Sequence, residues 1–594
     1  MPRVDVCARA VPRHRFCRPL PRDAQGRSRY CEGEAGVRGR EPHAPWRDPH
    51  SPPPPPHTPC VTPQLDACGP KHLSLTRHAI SSAPTSSCWK IFQRWGAHLS
   101  SLTLLRSPVA DRTSLPTLLG LTTRLKKLHI TDPDPSGFDD VRVATAILSL
   151  VHLEELRLHI TDVMNYDASP FTMLLMGMAG DTLPAPSALG PGVALGSGGG
   201  AAAAATPTPA DASDTGSASP PPAQPVSLAV RALRVAHTGG AASDEDSSKP
   251  MPLVYLRNIM LSSRLDARGT DALSRYIGDG KRRSQRLVKL KVSTALVSSP
   301  GGLEVLEAVA RHPALRKLTV LRPEGLGEPI RKLHCAVIAR VMVACKTLQS
   351  VHIRRAGMWT DTLAALQPPK DAPNITCLKL DSNSLAYLSG AFFNESMESL
   401  LVRLPNVRAL HLGNNQIDKE QAVALAATIK KCRLNALTSL TLGSNDIGDK
   451  GLEAILNSLP DGIEQLYLHG TAVTDEGAKI LKTHVGRFTK LWGLGLNGNP
   501  ITDVGVAELC LALQHKERLQ DIGITLSDMT DHGCSLLGAS LHTCTNLRFV
   551  YLYSSGFKAA SKITDAGKEE LRKMLPAFAT PAFDHKLSRY LKTP

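Results

Sequence analysis

Lys127, Arg157, Arg234, Lys289, Lys291, Lys317, Arg354 and Lys379 stand at equivalent points of a recurring phrase, each beside aliphatic residues. Alternation of this kind puts apolar side chains on one face of an extended chain and cations on the other. In this first half of the chain only Glu155 and Asp381 oppose them at the same points, so eight cations meet two anions. Strands stacked about 4.8 Å apart would hold these like charges side by side, where they repel. A surface that keeps such repulsion is suited to an acidic partner. Further along, Tyr467, Phe549, Tyr551 and Tyr553 occupy the corresponding points. Exposed rings of this sort serve as anchors in protein contacts.

Bond-making chemistry has less support. Gly493-Leu-Gly495-Leu-Asn-Gly498 matches G-x-G-x-x-G, but its leucines fall at core positions and no helix opens directly after it. The patterns G-x-x-x-x-G-K-[ST], H-E-x-x-H, G-x-S-x-G and C-x-x-C do not occur in the sequence. Cys7, Cys17, Cys31, Cys60 and Cys68 lack the close pairing of a zinc site. The sequence thus predicts no catalytic residue, no metal site and no cofactor. Stacking aromatics are missing from the basic half, which argues against nucleic acid as the partner.

The elements that must position these residues come from the phrase itself. L-x-x-L-x-L, with Ile or Val allowed, begins at fifteen places from Leu99 to Leu547, at intervals of 26 to 33 residues with one gap of 77. In Leu491-x-x-Leu494-x-Leu496-x-x-Asn499-x-Ile501, the alternating leucines define a short strand. Asn499, like Asn383, Asn415 and Asn445, sits where the chain leaves the strand and is placed to satisfy backbone groups there. Thr471 and Ser527 replace it in two units. A link such as Ile501-Thr-Asp503-Val-Gly505 follows, and its Asp is expected to cap a helix. One strand and one helix cannot bury their own apolar faces, but stacked copies can. The prediction is an α/β solenoid, a horseshoe with parallel strands on the concave face and helices on the convex face.

The 594 residues divide by composition. Residues 1–85 are rich in Arg and Pro and read as a disordered tail. Residues 86–164 hold an N-terminal cap, including a helix around Cys88–Trp95, and the first repeats. Residues 165–227 form a Gly/Ala/Pro/Ser insertion, 228–575 the main array, with a unit starting at Val230, and 576–594 a C-terminal tail. Aromatics are only 4% of the chain, so the core must rest on Leu, Ile, Val and Ala. No apolar run reaches the roughly 18 residues of a membrane span, and the first residues lack the apolar segment of a secretory signal. Cytoplasmic or nuclear residence is expected, with the 13 cysteines reduced. The formal charge is +16, a moderate excess whose location matters more than its size.

These repeats resemble the leucine-rich repeats of the ribonuclease-inhibitor type over about residues 95–575. That family includes ribonuclease inhibitors, Ran GTPase-activating proteins, receptor domains of innate sensors and substrate arms of F-box proteins. The resemblance implies a non-enzymatic module, an adaptor or regulator, that binds a protein partner on its concave face. Regulation of a small GTPase is an alternative, although the basic C-terminus departs from the acidic one of Ran GTPase-activating proteins. A substrate subunit of a ubiquitin ligase is another, although no F-box is recognisable. Fold alone does not choose among them.

Overall fold

The computed structural model describes residues 71–582 apart from 78, 112, 133–140, 160–170, 184–252, 281, 323–327, 387–389, 515, 525–527, 553–561 and 577–578. The strands are β1 (His72–Thr76), β2 (Ser101–Leu105), β3 (Lys127–Thr131), β4 (Glu155–His159), β5 (Asn258–Leu261), β6 (Lys289–Ser293), β7 (Lys317–Leu321) and β8 (Ser350–Arg354). They continue as β9 (Cys377–Lys379), β10 (Ala409–His411), β11 (Ser439–Thr441), β12 (Gln465–Tyr467), β13 (Gly493–Gly495), β14 (Asp521–Ile524), β15 (Phe549–Leu552) and β16 (Thr580–Ala582). All pair in parallel, in chain order, in one sheet. At least one helix lies between each strand and the next. This is the α/β leucine-rich-repeat solenoid that the spacing predicts.

Its core is aliphatic. The three apolar positions of each described phrase from Leu99 to Leu547 are buried, as at Leu125, Leu128 and Ile130 or Leu437, Leu440 and Leu442, these six at most 1% exposed. Each such side chain contributes about 1.5–3 kcal/mol by leaving water. Two residues beyond the last strand leucine the backbone turns left-handed, at Arg77, Arg106, Asp132, Arg355, Ser382, Asn414 and Ser444. Gly470 and Gly498 hold the same place, where glycine meets no steric penalty.

After β9 the turn is closed by side-chain amides. Asn415 Nδ2 donates to the carbonyls of Leu380 (3.0 Å) and Leu412 (2.9 Å), and its Oδ1 accepts from Asn383 N (3.1 Å). Asn383, Asn445 and Asn499 likewise each donate to two carbonyls and accept backbone N–H groups of the preceding repeat. Thr471 keeps one of these bonds, from Oγ1 to Leu468 O (2.7 Å). Ser527 lies outside the described residues.

The helix link works differently from expectation. Thr474, Thr502, Thr530 and Thr564 are the N-caps, each accepting a backbone N–H through its side chain. The aspartate that follows is the first helical residue. Its carboxylate reaches the threonine of the next repeat instead. Asp475 accepts from Thr502 N (2.8 Å) and Oγ1 (2.6 Å), and Asp449, Asp503 and Asp531 bind Thr474, Thr530 and Thr564 in the same way. The glycine of the link leaves room for that carboxylate: a Cβ at Gly505 would stand 2.3 Å from Asp475 Oδ1.

Three boundaries shift. β1 lies inside the expected N-terminal tail, with Leu73 and Leu75 buried. Pro70 replaces the first leucine of its phrase, so the repeat was hidden. The helix Ser87–Trp95 therefore joins two strands rather than capping the array alone. The helix Thr172–Ala179 falls inside the expected insertion and packs on Ala267–Gly278. β4 pairs directly with β5; the unit expected at Val230 lies outside the described residues. β16 falls inside the expected C-terminal tail and pairs with β15.

Candidate functional site

Because the strands are in register, the solvent-facing residues form rows across the sheet. One row reads Lys127, Glu155, Asn258, Lys289, Lys317, Ser350, Cys377. The next reads His129, Arg157, Met260, Lys291, Thr319, His352, Lys379, His411. Arg354 lies two residues beyond His352 on the same face. Of the eight expected cations, seven share this face; Arg234 lies outside the described residues.

The seven are not equivalent. Glu155 pairs with Lys127 (3.9 Å), His129 (3.2 Å) and Arg157. Burial alone would raise its carboxyl, but Arg157, His129 and Lys127 outweigh burial and hold it below the ordinary value. Arg354 pairs with buried Asp381 at 3.0 Å. Lys289, Lys317 and Lys379 form no ion pair among the described residues. Burial, then Lys379, Lys289 and Arg354, push the half-buried Lys317 ammonium below its usual range. Lys289, Lys317 and Lys379 thus keep their charge without a neutralising carboxylate among the described residues.

Two histidines show the same field. Burial, followed by Lys317, Lys379, His411 and Arg354, pushes His352 down to about 2. Burial, then Lys379 and Arg354, pushes His411 down to about 3. Both are neutral at physiological pH and add hydrogen-bonding capacity rather than charge. Cys377 Sγ lies 3.6 Å from His352 Nε2. Burial raises this thiol despite Lys379 and Lys317, so it is not an activated nucleophile. The cluster is built for electrostatic recognition. A groove of about 370 Å³ crosses it, lined by Lys289, Lys291, Lys317, Thr319 and Arg354 among others. Thr319 was missed in the sequence because it carries no charge; its position in the phrase would have found it.

The C-terminal half of the face is flatter. Tyr467 does not project: a Cβ at Gly493 would lie 2.9 Å from its Oη and one at Gly495 2.7 Å from its Cδ1. The first two glycines of the G-x-G-x-x-G match therefore seat a tyrosine ring from the neighbouring strand. Gln465 Nε2 donates to Tyr467 Oη at 3.2 Å, and burial raises the phenol above its ordinary value. Asn497 is buried, donating to Ile524 O (3.2 Å) and Tyr551 O (3.0 Å) over Gly523. Phe549 and Tyr551 stack with centroids 6.0 Å apart and remain half-exposed. Tyr553 lies outside the described residues.

Residues 434–456 match a family model described as Leucine Rich repeat. The ribonuclease inhibitor of Sus scrofa is 27% identical over 274 residues, covering 44% of this chain and 56% of that protein. A NACHT, LRR and PYD domains-containing protein 9 of Bos taurus is 27% identical over 189 residues, covering 27% of this chain and 19% of that protein. The chain thus spans about half the length of the first relative and a fifth of the second. Among solved structures, an internalin of Listeria monocytogenes covers 86% of this chain and 87% of its own, with 14% identity and a TM-score of 0.26. A yeast Rad7 and Elc1 complex gives 57% and 76%, with 12% identity and a TM-score of 0.33.

Proposed function

The repeats are leucine-rich repeats of the ribonuclease-inhibitor type, and we propose that the protein is a non-enzymatic interaction module that binds an acidic protein partner across β6–β9. The observation that carries this reading is the row of Lys289 and Lys317 beside Lys379, with no carboxylate to neutralise them among the described residues. Like charges on adjacent strands cost stability, and an acidic surface relieves that cost on binding. Phe549 and Tyr551 offer a second contact at the far end of the sheet. The pig relative carries an inhibitor's name, which supports a binding role in preference to catalysis.

We assign this activity to the cytoplasm or nucleus. Among the described residues no helix is long and apolar enough to cross a membrane, and the eight described cysteines are unpaired. The test is affinity purification with mass spectrometry, using the full chain and a variant carrying Lys289→Glu, Lys291→Glu and Lys317→Glu. Selective loss of an acidic protein is expected. Unchanged recovery overturns the site.

A further inference from the structure

The two solvent-facing rows continue past β9 to the far end of the sheet. There the first reads Gln465, Gly493, Asp521, Phe549, and the second reads Tyr467, Gly495, Gly523, Tyr551. Asp521 therefore has a glycine on one neighbouring strand and an aromatic ring on the other, each about 4.8 Å away. Tyr467 fills the glycine side, with its ring laid over Gly493 and Gly495. Burial raises its phenol, and the charge of Asp521 adds to that rise. On the other side Phe549 stacks on Tyr551, with the ring planes 21° apart. Rings thus wall one carboxylate from both sides.

That carboxylate is unmatched. Asp521 is half-buried, and its side chain forms no ion pair or hydrogen bond among the described residues. Burial raises its carboxyl, and Arg548 on the exposed rim opposes this without pairing with it. A second acceptor stands nearby. The Nδ2 of buried Asn497 donates to Ile524 O and Tyr551 O, and these two bonds fix the amide. Its Oδ1 is thereby turned over Gly523, in the place a Cβ would take. This oxygen accepts no hydrogen bond among the described residues. Gly523 lies two residues along β14 from Asp521, about 6.6 Å. Two acceptors without donors therefore share one ring-walled stretch of the concave face.

We propose that Asp521, Asn497 Oδ1 and the rings of Tyr467 and Phe549 form a binding site for an arginine side chain of a protein partner. A guanidinium is planar and carries five N–H donors in a fixed fork, so it can pair two-pronged with a carboxylate and still reach a further oxygen. It also stacks on aromatic faces, and it is more weakly hydrated than an ammonium, so it gives up less on entering a half-buried site. The site goes beyond the basic surface of β6–β9 and does not depend on it. β14 is seven strands from β7, several screening lengths away at physiological salt.

The test uses the full chain and fluorescence anisotropy with three degenerate peptide pools, centred on arginine, on lysine and on glutamine. The arginine pool is expected to bind at least about tenfold tighter than the glutamine pool, and tighter than the lysine pool. Asp521→Asn keeps the shape, removes the charge and should abolish this preference. Phe549→Leu keeps the charge and should reduce the preference about threefold. The variant carrying Lys289→Glu, Lys291→Glu and Lys317→Glu should leave it unchanged. Equal binding of the arginine and glutamine pools overturns the site. A lysine pool that binds as tightly as the arginine pool overturns the choice of side chain. An arginine preference that survives Asp521→Asn, or is lost in the triple Glu variant, overturns the location. Where Asp521→Asn lowers the thermal midpoint, Phe549→Leu decides, and an undiminished preference there overturns the site. The acidic-partner reading falls on a different result, unchanged partner recovery with the triple Glu variant.

Discussion

Repeats before β9 and repeats from β9 onward share one backbone path and close it by different means. In the later repeats the strands β9 to β13 are three residues long, and the carbonyls just beyond them go to asparagine amides. In the earlier ones most strands run to five residues, the backbone ladder itself using those groups. Ser107 stands at the asparagine position near β2, and its single hydroxyl proton is shared between Leu75 O at 3.1 Å and Leu105 O at 3.3 Å, where Asn415 has a two-proton amide and an accepting oxygen. Among the described residues the successive aspartate–threonine links run from Asp449 to Thr564, while the earlier half has a single bond of this kind between repeats, from Thr172 Oγ1 to Asp266 Oδ1 at 2.8 Å. The faces differ accordingly. The later half fills its concave surface with side chains laid over glycines, whereas the earlier half carries half-buried lysines without a neutralising carboxylate among the described residues. Side-chain hydrogen bonding between repeats concentrates at one end of the sheet, and the lysines Lys289, Lys317 and Lys379 lie at the other.

The sharpest way to break this comparison is to remove the stitching. Asn415→Ala should destabilise the protein by about 4 kcal/mol, because it strands several buried backbone groups at once. Ser107→Ala should cost only about 1 kcal/mol. Denaturant midpoints of the two variants measure the difference, and equal losses would erase the distinction between the halves.

Gly505→Ala should cost about 2 kcal/mol, since the added methyl meets the Asp475 carboxylate within the stack. Gly462→Ala, where a Cβ meets nothing within 4 Å, should be close to neutral. Thermal midpoints for this pair test whether the glycine of the link is there for the neighbouring repeat's carboxylate.

Acid should act on the basic half. His352 and His411 are held to about 2 and about 3 in the fold, against 6.5 when unfolded. Below pH 6.5 the unfolded chain gains protons that the folded chain refuses, so stability falls as pH falls toward those low values. The loss is about 1.4 kcal/mol per histidine per pH unit. His352→Asn should flatten the profile between pH 6.5 and 5 if this sign is right. An unaltered profile would show that the field at β8 is not as described.

The smallest effect is expected from Lys317→Gln. Relieving like-charge crowding should stabilise the fold by a few tenths of a kcal/mol, about 0.5 at most, at low salt and by nothing at high salt. A destabilised variant would mean that the lysine stem is needed for packing and that repulsion is secondary.

Much of this architecture was legible. The leucine spacing announced the strands, the solenoid and the core, because burial of three aliphatic positions per turn is a local pattern repeated in register. Asn383, Asn415, Asn445 and Asn499 were readable for the same reason. The role of Asp475 was not, because a carboxylate beside a helix start can cap its own helix or brace the next, and only the stacking of Thr502 against it decides. Nor was β1 readable, with Pro70 where a leucine should stand.

The site divides along the same line. The sequence by itself determined which residues alternate with leucine, and so which side chains share the concave face; strand periodicity requires nothing more. The tertiary structure alone decided which of those charges are neutralised. Glu155 reaches across strands to Lys127 and Arg157, and Asp381 to Arg354, while Lys289 and Lys317 are left facing each other. It also laid Tyr467 over two glycines of the next strand instead of into solvent. Partnership depends on distances between repeats, and those exist only once the repeats are stacked.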